Sequence, residues 1–94
     1  MLIDDTRDLE CSVIARNYWE GIKQLEANGP WDELLLDHDL ASYDKHGRER
    51  TGYDIMLFLE QFPQHLPGKI TLVTANPVGR DRMQTVIERL YARS

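Results

Sequence analysis

Cysteine is almost absent: Cys11 stands alone among 94 residues, so no disulfide closes within one chain and no multi-cysteine zinc site exists. That usage fits a reducing compartment, and the expected location is cytoplasmic. No apolar run approaches the roughly 18 residues of a membrane span, and the N-terminus opens on Asp4-Asp5 instead of a basic and then apolar signal segment. An excess of positive charge is also missing. With 11 Lys+Arg against 16 Asp+Glu, the net charge of -5 excludes bulk electrostatic coating of DNA and leaves room only for a locally basic phosphate pocket. There are no repeats, low-complexity segments or heptads, and nothing in the sequence sets the oligomeric state. The 41% of hydrophobic residues suffice for one core, so residues 1–94 are read as a single domain.

The elements follow from local pattern. Leu2-Ile3 before two acids predicts a short strand, and Cys11, Val13 and Ile14 a second. Asn17 with Glu20 has capping-box spacing, and Trp19, Ile22 and Leu25 mark the apolar face of a helix from Tyr18 to Asn28, which Gly29-Pro30 stops. Leu34, Leu35 and Leu36 form a central strand buried on both faces and ending in Asp37-His38-Asp39-Leu40. The polar stretch from Ala41 to Arg50 shows neither period and predicts a mobile surface loop. Thr51, answered by Asp54, starts a second helix with Ile55, Met56, Phe58 and Leu59 inward, ended by Pro63. Ile70 to Thr74 is a β-branched strand. Asn76-Pro77 then opens a last helix, with Met83, Val86, Ile87 and Leu90 inward and its end near Ala92.

The order β-β-α-β-α-β-α predicts a small α/β fold, a mostly parallel sheet flanked by helices. Ligands of such sheets sit beyond the carboxyl ends of the strands, which here read Asp4-Asp5, Asp37-His38-Asp39 and Thr74-Ala75-Asn76. Asp4, Asp5 and Asp37 would gather three carboxylates, which a divalent cation or a neighbouring Lys or Arg must compensate. All-oxygen donors favour Mg²⁺ or Mn²⁺; the plainer alternative is that Asp4 and Asp5 only solvate the terminus. His38, between two acids, is a candidate general acid or ligand, although strand alternation turns it away if Asp37 and Asp39 point into the site.

Asn76, Gly79 and Arg80 at the start of the last helix form a candidate phosphate site, against a reading in which Asn76 only caps. Thr51-Gly52-Tyr53-Asp54 either borders the same edge, with Gly52 allowing close backbone approach, or only caps its helix. Arg7 either neutralises the acids or lies exposed. His46 and His65 read as surface residues. Trp31, beside the Gly29-Pro30 turn, is a candidate contact for a protein partner, or a hinge cover.

Asp4-Asp5-x-Arg7, Asp37-His38-Asp39-Leu40, Thr51-Gly52-Tyr53-Asp54 and Thr74-Ala75-Asn76-Pro77-x-Gly79-Arg80-x-x-Met83 occur in this order. On these stretches the chain resembles the cyclic-phosphate processing receiver-like domain family, a derivative of the two-component receiver. The resemblance implies a receiver-like, flavodoxin-like fold with an acidic metal pocket. In it Asp4 and Asp5 are the metal-binding pair, Asp37 the acid of the central strand and Thr74 the hydroxyl residue of a later strand.

It also implies processing of cyclic phosphates, and with the residues read above this leads to the expectation of a Mg²⁺-dependent or Mn²⁺-dependent phosphoesterase acting on a cyclic nucleotide or a 2′,3′-cyclic phosphate at an RNA end. Asp37, His38, Asp39 and Thr74 would be catalytic, and Thr74, Asn76, Gly79 and Arg80 would bind phosphate. Two departures stand out. Val73 replaces the histidine that usually precedes the hydroxyl residue, and Asn76-Pro77 stands where a receiver carries its lysine, which speaks against phosphorelay through Asp37. The alternative is a non-catalytic module that binds or sequesters a nucleotide or a protein partner.

Overall fold

Four short runs of apolar residues pair in parallel at the centre of the computed structural model, which describes residues 1–5 and 13–92. They are β1 (Leu2–Ile3), β2 (Ile14–Ala15), β3 (Glu33–Leu36) and β6 (Lys69–Leu72), in the spatial order β2-β1-β3-β6. Three helices flank them: α1 (Tyr18–Asn28), α2 (Gly52–Gln61) and α3 (Pro77–Tyr91). The sequence of strands and crossover helices makes a receiver-like α/β fold. Ile3, Leu34 and Leu36 of the sheet are fully buried in one core with Leu25, Ile55, Met56, Leu59 and Met83 of the helices, and Leu2 is fully buried as well. Each such side chain contributes about 1.5–3 kcal/mol through the apolar surface it removes from water.

Each helix starts where the sequence says it should. Asn17 accepts from the Glu20 N–H at 2.9 Å, Asn76 accepts from the Gly79 N–H at 3.0 Å, and Thr51 accepts from the Tyr53 N–H at 3.1 Å. Asp54 closes the Thr51 capping box by accepting the Thr51 N–H at 2.8 Å. These caps fix the directions in which the chain re-enters each helix from the sheet edge.

The stretch expected to be a mobile loop is instead a hairpin, β4 (Ser42–Tyr43) paired antiparallel with β5 (Glu49–Arg50). Asp44 organises its turn: its carboxylate accepts the N–H groups of His46 at 2.8 Å and Arg48 at 3.0 Å, while Gly47 takes a φ of 76°. Ser42 ties the hairpin to α1, its hydroxyl accepting the Tyr18 N–H at 3.0 Å and donating to the Leu40 carbonyl at 3.0 Å.

Other expectations shift locally. The last strand begins at Lys69 and ends at Leu72, short of Val73-Thr74, because only these residues complete the ladder with β3. A 3₁₀ turn, Pro63–His65, follows α2. Trp19 is 46% exposed, lying outside the face that buries Leu25, with its ring against Tyr18. His65 is half-buried and stacks on Phe58. Trp31 is half-buried against the core and donates its indole N–H to the Gln24 carbonyl, so it offers a partner little free surface. Arg7 and Cys11 lie outside the described residues.

Candidate functional site

Register brings the acids together. Ile3 lies opposite Leu36, and Leu36 opposite Leu72, so the residues that follow, Asp4, Asp37 and Val73, leave three neighbouring strands side by side. The Asp37 N–H donates to the Ile3 carbonyl at 3.0 Å and the Asp4 N–H to the Ala15 carbonyl at 3.1 Å, fixing both backbones. Asp4 and Asp37 are buried, while Asp5 is more open to solvent. One carboxylate oxygen from each of the three lies within 4.8 Å of the others. This all-oxygen donor set fits a hard divalent cation such as Mg²⁺ or Mn²⁺. The nearby Arg16 guanidinium donates to the Asp4 carbonyl at 3.4 Å.

Asp37 also anchors the next residue. Its carboxylate accepts the His38 N–H at 2.8 Å, and the imidazole Nδ1 lies 2.9 Å from the Asp39 carboxylate. A ring proton on Nδ1 would donate to that carboxylate and leave Nε2 as the acceptor nitrogen. Alternation alone would turn His38 away from the other site residues. The chain has left its strand at Leu36, however, and the imidazole packs against the backbone of Gly79, where a β carbon would collide with it.

The start of α3 closes that side. Thr74 is buried and its hydroxyl accepts the Asn76 N–H at 3.1 Å. Asn76 spends its side-chain oxygen on the Gly79 N–H and turns its amide nitrogen toward His38 Nδ1 and the Asp39 carboxylate, each at 3.5 Å. The Gly79 N–H expected to meet phosphate is therefore occupied by the cap, and the glycine makes room for His38. Arg80 is exposed, with one guanidinium nitrogen 3.5 Å from the Thr74 carbonyl.

Gly52 brings the start of α2 to the same edge. Its N–H donates to the His38 carbonyl at 2.8 Å, and a β carbon there would overlap the Asp37 carbonyl. Tyr53 and Asp54 thus sit beside the Asp37-His38 backbone, and Arg82 of α3 lies 4.3 Å over the Tyr53 ring. A cavity of about 370 Å³ opens there, with His38, Arg48, Tyr53 and Arg82 among its lining residues. Reading along the sequence missed Arg48 and Arg82. The signal that could have placed Arg48 is the Asp44-x-x-Gly47 spacing, which the structure closes into the hairpin turn.

A family model described as the cyclic-phosphate processing receiver domain matches residues 1–89. No curated protein and no solved structure matches the chain.

Proposed function

The chain belongs to the cyclic-phosphate processing receiver domain family, and from that premise we propose that its acidic strand ends form a divalent-cation centre that opens a cyclic phosphate ester. The observation carrying this reading is the convergence of Asp4, Asp5 and Asp37 on one point of the sheet edge. Those three carboxylates would hold Mg²⁺ or Mn²⁺. The chemistry such an ion supplies when bound is polarisation of a phosphoryl oxygen and acidification of a water.

The remaining roles belong to side chains at the same edge. Opening the ring adds water to phosphorus and breaks one P–O bond, so one proton leaves the water and one reaches the departing alkoxide. His38 Nε2, with Nδ1 held by Asp39, is the group suited to carry it. Arg80 and the side-chain amide of Asn76 would pair with phosphoryl oxygens, and the Thr74 hydroxyl holds the turn that carries Asn76.

A second reading rests on Val73. The family resemblance calls for a histidine before the hydroxyl residue, and valine cannot move a proton. On that reading the pocket binds a nucleotide, or presents the same edge to a protein partner, without turnover.

Incubation with Mg²⁺ or Mn²⁺ and a panel of 2′,3′-cyclic and 3′,5′-cyclic nucleotides, followed for hydrolysis and binding together, tests both. Hydrolysis that EDTA stops and Asp37→Asn lowers by about a hundredfold or more supports the esterase. Binding without hydrolysis under either metal selects the second reading, and hydrolysis indifferent to EDTA and to Asp37→Asn overturns the metal centre.

A further inference from the structure

We propose that the cavity between the hairpin and the starts of α2 and α3 is a nucleobase subsite, which makes the substrate a nucleotide and not a simple cyclic diester. This deepens the cyclic-phosphate reading and rests on it for the position of the phosphate. The cavity holds about 370 Å³, within the range of small-ligand pockets and roomy enough for a base with part of its ribose.

Its walls carry the chemistry a base requires. Arg82 lies 4.3 Å over the Tyr53 ring, so a guanidinium already sits over an aromatic face. The stack presents a π-compatible surface on which a purine or pyrimidine can lie. Arg48 brings hydrogen-bond donors and Glu49 an acceptor from the hairpin, the two kinds of partner that a base edge needs, and Leu57 supplies apolar contact. Asp54, also on the wall, is already engaged, accepting the Thr51 N–H at 2.8 Å and lying 3.8 Å from Arg50.

One residue links the cavity to the acidic cluster. His38 lines it, and the backbone N–H of the same residue donates to the Asp37 carboxylate at 2.8 Å. A nucleotide with its phosphate at the acids therefore has this cavity as the adjoining space for its base.

The test compares adenosine and uridine 2′,3′-cyclic monophosphates with glycerol 1,2-cyclic phosphate, which has no base, on the wild type and on Arg82→Ala. Arg82 is exposed, so its removal leaves the core intact. The wild type is expected to prefer the nucleotides in kcat/KM, and Arg82→Ala to reduce that preference about tenfold, within the range of a lost stacking partner. Equal rates for nucleotide and glycerol esters, or an unaltered preference in Arg82→Ala, overturn the subsite while leaving the esterase standing.

Binding of adenosine 3′-monophosphate, mapped by amide NMR shifts without divalent cation, separates the two claims. Shifts centred on Tyr53 and Arg82 and weakened by Arg82→Ala sustain the subsite even if no cyclic ester is opened. No shifts there, together with no nucleotide preference, reject it.

Discussion

Gly52 meets Asp37 backbone to backbone: no space remains for a β carbon against the Asp37 carbonyl, and the Gly52 N–H donates to the next carbonyl, that of His38, at 2.8 Å. The start of α2 is thus seated directly on the strand end that carries the central carboxylate. The position of Asp37 depends on a residue that has no side chain.

Gly52→Ala is therefore expected to cost about 1–3 kcal/mol or more through overpacking and to lower Mg²⁺ affinity with it, since relief of the clash moves Asp37. Chemical denaturation and calorimetric titration of Mg²⁺ check this together. Gly47→Ala is the control: open space surrounds it, so it is expected to cost only the strain of its positive φ, about 1–2 kcal/mol, and to leave Mg²⁺ affinity as it was.

Mg²⁺ itself should stabilise the fold. At a free concentration one hundred times Kd, binding only to the native state adds about 2.7 kcal/mol. For a domain of this size that raises Tm by roughly 10 °C or more. A thermal scan with and without EDTA measures the shift, which Asp37→Asn is expected to remove; an equal shift in that variant would place the ion elsewhere.

Ser42→Ala removes a buried hydroxyl that accepts from the Tyr18 N–H and donates to the Leu40 carbonyl. Leaving those groups unsatisfied is expected to cost about 1–2 kcal/mol. The urea midpoint should fall with its slope unchanged, and the hairpin amides should exchange faster than those of β3.

Acid should open the hairpin before the sheet. The Arg48 N–H, and after it the His46 N–H, hold the Asp44 carboxyl below its ordinary range. A depressed carboxylate contributes stability that is complete above the unfolded value, about 3.9, and is lost as pH falls through the lower folded value. Amide NMR of His46 and Arg48, followed downward from pH ~5, is expected to show their protection disappear over that interval.

Much of this architecture is local and so was legible. Asn17, Thr51 and Asn76 announce helices because a cap needs only the next three residues, and the clustering of Asp4, Asp5 and Asp37 was legible because parallel strands end in register. The hairpin was not legible, since paired strands of two residues are too short to show a period. The direction of the His38 imidazole stayed open, because alternation holds only as far as the strand's last residue, Leu36. Arg48 and Arg82 escaped because they stand on separate elements and reach the same cavity only through tertiary packing.

The two glycines that receive Asp37 and His38 divide the region into parts with different freedom to change. Gly52 and Gly79 are occupied by the very residues assigned to the chemistry, so that floor tolerates almost no new atom. Arg48, Glu49 and Arg82, which line the neighbouring cavity, are exposed and can be exchanged without disturbing the core. A ligand seated in that cavity would thus be selected by residues separable by mutation from the acidic cluster.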